Sequence, residues 1–303
     1  MRVLKLKEIT ILGRGITISS DLITTACKEQ VQINLLSSSG QVVANIISPF
    51  QSESIRTARS QIKAAETDKG KQLAQSIVLA KINNQLFLLE QIASGSNELD
   101  VKTHRKISRH LESIKKRADY LNSQGSVGLT NNRLLAIEGT ASNCYWLALR
   151  PILGPKRFIG RRGRGATDPI NSLLNYGYAI LQNQVLSATL RAGLLPFAGF
   201  IHQDRPGKPS FILDAMELFR QPVVDSAIIA LLESYTPKLE KSGQLDQTTI
   251  KKLYEAINTN LDSKLVFIDG KRHRLQEIIY LQVQLIASFL KDDRQLTIWS
   301  QYH

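Results

Sequence analysis

Residues 199–222 read GFIHQDRPGKPSFILDAMELFRQP, and they carry the residues that define the candidate chemistry of the chain. An apolar run ends at His202, a turn-rich loop comes next, and a short helical pattern containing Asp214 and Glu217 is predicted to end at Pro222. At a spacing of three residues the two carboxylates share one face of a helix. One imidazole and two carboxylates form a donor set suited to a divalent metal in phosphodiester chemistry. The alternative is an exposed loop histidine beside two solvated acids.

The composition narrows the class of protein. The 303 residues include 39 Lys and Arg against 26 Asp and Glu, a net charge of 39 − 26 = +13 at pH 7. This charge favours a polyanionic partner such as nucleic acid or an anionic membrane, although a merely soluble basic protein is the alternative. Cys27 and Cys144 are too few for a disulfide framework or a cysteine-rich zinc site. A cytoplasmic protein is therefore predicted, with neither a membrane-spanning helix nor a signal peptide.

The period of the hydrophobic pattern changes near residue 52. Residues 1–50 alternate as strands, including Ile16 and Ile18, with one short helix predicted at 21–28. The later sequence has helical periodicity throughout. The predicted fold class is α+β, with a small β-rich N-terminal domain at 1–52 and a larger all-α catalytic domain at 53–303. The predicted helices of the second domain cover 53–68 (ended by the breaker Gly70), 72–92, 102–122, 133–150, 171–195, 210–221, 223–235, 246–262 and 272–292.

The helix predicted at 133–150 carries a carboxylate on its apolar stripe, and Asn131 or Asn132 is expected to cap it. Glu138 lies within this stripe at helical spacing. A carboxylate that faces a protein core is costly unless it is paired, protonated or bound to a metal. Pairing with an arginine is the alternative to a metal site. The apolar members of the stripe are Leu134, Ala141, Tyr145 and Ala148.

A glycine-rich basic loop lies after this helix. Its glycines make the loop mobile, and guanidinium groups suit phosphate oxygens, so the loop is predicted to bind DNA. The heavily basic helix around residues 102–117 is a second candidate, and a solvated connection is the alternative for the loop. The loop's basic residues are Lys156, Arg157, Arg161, Arg162 and Arg164.

Several segments, in this order along the chain, resemble the CRISPR-associated integrase family, the catalytic subunit of the complex that captures new spacers. Together they span most of the chain. They are ITILGRGITIS at 9–19, KINNQ at 81–85, IEGTASNCYW at 137–146, ATDPINSLLNYGYAIL at 166–181, GLLPFAGFIH at 193–202 and SFILDAMELFRQPVVD at 210–225.

The resemblance implies a metal-dependent DNA endonuclease and integrase that joins captured DNA fragments into a CRISPR array by phosphodiester transesterification. It implies that Glu138, His202 and Glu217 bind the metal, Mn²⁺ or Mg²⁺, and that Asp214 is an additional acid at the catalytic site. Its implied partners are double-stranded and branched DNA, a small ferredoxin-like companion subunit and a second copy of the chain. The alternative is a non-catalytic DNA-binding scaffold of the same fold. A membrane-surface protein is disfavoured, because no exposed amphipathic helix combines basic and aromatic residues.

The sequence departs from the family at its start. Family members usually carry a longer segment ahead of the part that matches residues 9–19, whereas eight residues precede it here. The first strands of the β-rich domain are therefore expected to be missing or supplied by another chain.

Overall fold

A computed structural model describes residues 8–12, 15–29, 31–37, 42–48, 54–95, 100–125, 129–154, 157–163, 165–263, 265–268 and 270–301. Within these residues a small sheet comes first, and helices make up most of the remainder. This arrangement confirms the predicted α+β fold class. The predicted strand residues Val3, Leu4 and Leu6, and the expectation of missing first strands, lie outside the described residues.

The N-terminal sheet has three strands, β1 (Glu8–Leu12), β2 (Gln32–Leu36) and β3 (Val42–Ile46), with β2 in the centre. Strand β1 runs parallel to β2, and β3 runs antiparallel to it. Helix α1 (Ser20–Lys28) connects the two parallel strands, as parallel pairing requires a crossover. A small apolar cluster between helix and sheet holds Ala26, Val31 and Ile33.

The prediction that Ile16 and Ile18 continue a strand is wrong. Residues 16–19 have no regular secondary structure and lead directly into α1, whose first turn is capped by Ser19. The physical reason is the parallel pairing of β1 and β2, since the chain must leave the sheet after β1 to reach the start of β2. Ile18 instead packs on the small apolar cluster.

A second, much larger apolar core is formed by helices. Helices α3 and α6 carry buried residues along most of their turns and are the central elements of this core. A two-stranded hairpin interrupts the predicted all-α region, so the helix predicted from residue 272 begins at Leu275. No helix in the described part of the chain is long and apolar enough to cross a membrane. The helices are α2 (Ser54–Ala65), α3 (Asp68–Gly95), α4 (Val101–Ser123), α5 (Asn131–Leu153), α6 (Pro169–Arg191), α7 (Ser210–Met216), α8 (Ser226–Ser234), α9 (Gln247–Ser263) and α10 (Leu275–Leu290), and the hairpin strands are β4 (Leu265–Ile268) and β5 (Lys271–Arg274).

The sheet and the helices are joined by a buried polar contact. Gln32 on β2 donates from Nε2 to the carbonyl of Ser187 on α6, at 3.3 Å. The chain passes from β3 to α2 between residues 46 and 54, which brackets the predicted boundary at 52/53. The division into two domains stays a prediction.

Two predicted helix ends are wrong. Thr130 caps α5, because its hydroxyl accepts the N–H of Arg133 at 3.4 Å, whereas Asn131 donates to the carbonyl of Phe200 at 3.1 Å. Pro222 does not end a helix either. It lies in a π-helical segment, Arg220–Asp225, that continues directly into α8. Proline is tolerated near the start of a helical segment, where its missing N–H would have no partner in any case.

Gly70 is not the breaker that its sequence position suggests. The helix is interrupted at residues 66 and 67, and Gly70 lies buried in the first turn of α3. A Cβ atom at this position would lie 2.3 Å from the carbonyl oxygen of Ala64. The glycine therefore permits the close approach of α3 to the end of α2.

We expect Gly70→Ala to lower stability by about 1–3 kcal/mol, since the added methyl group meets backbone that cannot move aside easily. Gly139→Ala is the matched control, because Gly139 lies in the exposed face of α5 and a Cβ atom there would have no neighbour within 4 Å. Alanine there should raise stability by about 0.5–1 kcal/mol through its higher helix propensity. Denaturant unfolding measures both changes, and equal stabilisation by the two substitutions would contradict the packing argument.

Candidate active site

Two predicted metal ligands meet at one buried cation. Lys81 of α3 places its ammonium against Glu138 Oε1 of α5 and 2.6 Å from Glu217 Oε2, just beyond α7. The side chains of Lys81 and Glu217 are 9% and 8% exposed, and that of Glu138 is 20% exposed. The stripe on α5 is buried as predicted. The cation beside Glu138 is Lys81, which lies 57 residues earlier in the chain. In the sequence-based prediction, an arginine has this role as the alternative to a metal ion.

The position of Lys81 is fixed by its neighbours on the same face of α3. Asn84 donates to the carbonyl of Leu218 at 2.8 Å, next to Glu217. Gln85 donates to Ser142 Oγ at 3.1 Å, and this hydroxyl in turn donates to Glu138 Oε1 at 2.8 Å. Lys81 is thereby held between the two carboxylates by side chains three and four residues further along its own helix.

Asp214 binds the segment that carries His202. Its buried carboxylate accepts the backbone N–H groups of Phe200, Ile201 and His202 at 2.6, 3.0 and 3.1 Å. The ring atom Nδ1 of His202 lies 2.6 Å from Asp214 Oδ1. Nδ1 is therefore engaged, and Nε2 is the ring nitrogen that remains for a ligand. Gly199 makes this wrapping possible, because a Cβ there would lie 2.6 Å from the Cβ of Ser210.

Glu217 is stabilised as an anion in spite of its burial. Arg220 Nε lies 3.1 Å from Glu217 Oε2. Burial raises the pKa of Glu217, but the charges of Arg220 and Lys81 outweigh it and lower the pKa from 4.5 to about 2. The buried Oε2 atom thus lies against both cations, 2.6 Å from Lys81 Nζ and 3.1 Å from Arg220 Nε.

A buried acid that sequence reasoning missed lies beside this site. Asp225 accepts the phenol O–H groups of Tyr178 and Tyr145 at 2.6 and 2.7 Å. The guanidinium carbons of Arg220 and Arg161 lie 4.6 and 5.2 Å from the centre of the Tyr178 ring. Burial raises the pKa of Asp225 from 3.8 to about 6, although both phenols act against the shift. Its signal in the sequence is a lone acid in the apolar run after Pro222.

The basic loop does not present all of its arginines alike. Arg157 and Arg162 are exposed. Arg161 is half-buried, and its guanidinium donates to Asn171 Oδ1 at 3.1 Å and Asn175 Oδ1 at 2.8 Å. Lys156 and Arg164 lie outside the described residues. The cations of α4 at 102, 105, 106, 109, 115 and 116 are exposed. The assignment of these residues to DNA binding stays a prediction.

The side chains as they stand do not form a metal cage. Among the described residues, no group of three or more His, Cys, Asp and Glu is arranged to hold a metal ion. By type the donors present fit one, since the carboxylates of Glu138 and Glu217 converge on a cation position, whereas the imidazole of His202 is held separately by Asp214. Oxygen and imidazole donors suit Mn²⁺, and Mg²⁺ with waters completing its shell. The assignment of Glu138, His202 and Glu217 as ligands stays a prediction.

Solved structures of a casposase and of a Cas1-containing complex share this fold. A casposase bound to its integration product superposes with a TM-score of 0.76 at 24% identity, covering 96% of this chain and 80% of that chain. A chain of a partial Cas6-RT-Cas1–Cas2 complex superposes with a TM-score of 0.70 at 20% identity, covering 98% and 88%. At these identities the comparison establishes the fold, which is that of Cas1-type proteins.

The sequence comparison is more specific. The sequence model of the family described as CRISPR associated protein Cas1 matches residues 1–259. CRISPR-associated endonuclease Cas1 1 of Archaeoglobus fulgidus is 32% identical over 306 aligned positions, covering 96% of this chain and 88% of the relative. The chain belongs to the CRISPR-associated Cas1 family, which confirms the resemblance read from the sequence motifs.

Asp225 and Glu217 are expected to give stability opposite dependences on pH. The pKa of Asp225 is raised, so wild-type protein should lose stability relative to Asp225→Asn as pH rises from 3.8 to about 6. The pKa of Glu217 is lowered, so wild-type protein should lose stability relative to Glu217→Gln as pH falls from 4.5 to about 2. Denaturant unfolding across both ranges measures the differences. A variant whose stability keeps a constant offset from wild type would show that its acid does not titrate in this way.

Proposed function

We propose that the chain is a metal-dependent DNA endonuclease and integrase that joins captured DNA fragments into a CRISPR array by phosphodiester transesterification. The observation that carries the proposal is the convergence of Glu138 and Glu217 on one buried cation position, in a chain of the Cas1 family. The proposed ligands are these two carboxylates and His202. The relatives that support the activity are themselves named endonucleases.

The chain's own residues prepare the site for a metal. Arg220 and Lys81 keep Glu217 ionised, as its low pKa indicates. Asp214 fixes the ring of His202 through Nδ1, an arrangement that orients a metal-binding imidazole and leaves Nε2 for the ion. Asp214 therefore acts by positioning His202. A Mn²⁺ or Mg²⁺ ion bound there would polarise a phosphoryl oxygen and stabilise the charge that develops during displacement.

The substrate is proposed to be double-stranded and branched DNA. In integration the nucleophile is a DNA 3′-hydroxyl, and in nicking it is water. The exposed Arg157, Arg162 and the cations of α4 would hold the phosphate backbone without reading sequence. Lys156 and Arg164 are proposed to do the same.

The proposed assembly is drawn from the family. One structural neighbour is described as bound to an integration product, and another belongs to a Cas1–Cas2 complex. By analogy, we propose that this chain binds DNA together with a small ferredoxin-like companion subunit, as a homodimer, in the cytoplasm. We also propose that it is divided into domains at 1–52 and 53–303.

One observation favours a second candidate, a non-catalytic DNA-binding scaffold of the same fold. Lys81 and Arg220 together already balance the charges of Glu138 and Glu217, as they would in a purely structural ion cluster. The scaffold predicts DNA binding without metal-dependent strand cleavage. The enzyme predicts both.

We expect His202→Ala to abolish nicking and strand transfer on branched DNA in Mn²⁺ while leaving DNA affinity nearly unchanged and the protein folded, with a modest fall in melting temperature because Asp214 loses one of its partners. A neutral imidazole contributes little to phosphate attraction, but a misplaced metal cannot stabilise the transition state. Strand cleavage is assayed with Mn²⁺ and with EDTA on the same preparation. His273→Ala is the control. The half-buried ring of His273 lies on β5, and its Nδ1 atom is 3.6 Å from Glu277 Oε2 on α10. A folded His202→Ala protein that still cleaves at the wild-type rate would exclude the catalytic assignment.

We expect the two neighbouring arginines of the loop to behave differently when DNA affinity is measured against salt. Arg162→Ala should reduce the slope of log affinity against log salt by about 0.9 on duplex DNA, because one phosphate contact is lost. Arg161→Ala should reduce the slope by less, because part of its guanidinium is engaged by Asn171 and Asn175. A loss of slope in Arg161→Ala equal to that in Arg162→Ala would show that Arg161 leaves these partners to bind DNA.

A further inference from the structure

The charges at the centre of the site balance without a metal ion. Glu138 and Glu217 supply two negative charges, and Lys81 and Arg220 supply two positive charges. Arg220 contacts one carboxylate, whereas Lys81 contacts both. Lys81 therefore occupies the place at which one cation can interact with both carboxylates.

This position of Lys81 is built into the fold. Asn84 and Gln85 anchor the same face of α3 to groups adjacent to Glu217 and Glu138. The side chain of Lys81 is 9% exposed, so its ammonium has little access to water outside the cluster. The ammonium contacts both carboxylates, and two anions at this distance favour the charged form of a lysine.

We propose that Lys81 is the internal counter-cation of the carboxylate pair, and that a divalent ion must displace its ammonium to bind Glu138 and Glu217. This inference rests on the proposed metal site. Without the metal, Lys81 prevents the repulsion of two buried carboxylates and so maintains the site. With the metal, the same ammonium competes for the oxygens, so Lys81 weakens metal binding.

The competition predicts the direction in which Mn²⁺ affinity changes in Lys81→Met. This substitution keeps roughly the length of the side chain and removes its charge. The affinity for Mn²⁺ should rise by about tenfold, since a unit charge in contact with both ligands no longer opposes the ion. The metal-free protein should melt at a lower temperature, because the carboxylates then repel each other. Adding Glu138→Gln to Lys81→Met should restore part of that loss.

The experiment titrates the 303-residue wild-type chain, Lys81→Met and the double variant, together with Glu138→Gln alone, with Mn²⁺. Free Mn²⁺ is followed by electron paramagnetic resonance, and the melting temperature is measured in parallel. Lys69→Met is the matched control. Lys69 lies on the same helix and pairs with the exposed Asp292, away from the site, so its loss should not change Mn²⁺ affinity. Neither measurement depends on catalytic activity.

The outcomes separate this inference from the proposed function. Tighter Mn²⁺ binding by Lys81→Met, lost again in the double variant, supports the exchange of cations. Wild-type Mn²⁺ binding that requires Glu138, together with equal or weaker binding by Lys81→Met, overturns the inference and leaves the proposed metal site standing. If neither wild type nor Lys81→Met binds Mn²⁺, the metal site and the exchange are both overturned. The same holds if wild type binds Mn²⁺ and Glu138→Gln leaves that binding unchanged.

Discussion

Three carboxylates are buried between residues 214 and 225, and a buried carboxylate is stable only where donors or cations replace its lost hydration. Asp214 is compensated by backbone N–H groups and an imidazole, Glu217 by two cations, and Asp225 by two phenols. The donors come from α3, α5, α6, the segment at 200–202 and Arg220 at the start of the π-helical segment. Compensation of these three charges therefore fixes how the elements around the site are placed relative to one another.

The kind of compensation decides what each acid can do. Two phenols and the more remote charges of Arg220 and Arg161 do not offset the burial of Asp225, whose pKa rises to about 6, whereas cations in direct contact more than offset that of Glu217, whose pKa falls to about 2. Glu217 is thus an anion across the neutral range and is suited to attract a metal. Asp225 is suited to anchor Tyr145 and Tyr178 beneath the site.

The residue pattern points to His202, Asp214 and Glu217 by donor type and spacing, and to Glu138 because it breaks a local pattern. Glu138 interrupts an apolar stripe and is conspicuous for that reason, and the period of the pattern predicts α5 around it. Lys81 lies on a helix buried on most sides, where no polar face gives a contrast, and its partners are distant in the chain. The assignment of Arg161 to DNA rests on residue type and stays a prediction, and spacing in a loop does not reveal that its guanidinium contacts Asn171 and Asn175.

Proline usually ends a helix, but Pro222 lies inside a π-helical segment, and the geometry of this segment has a consequence for the site. In an α-helix, residues five apart lie about 140° from one another around the axis, so they cannot face the same neighbour. Wider turns closed by bonds between residues five apart bring such positions onto one face. Arg220 and Asp225 are five apart, and they meet the ring and the hydroxyl of the same residue, Tyr178. Because Arg220 also pairs with Glu217, the irregular turn connects the anchored acid to the proposed metal ligand.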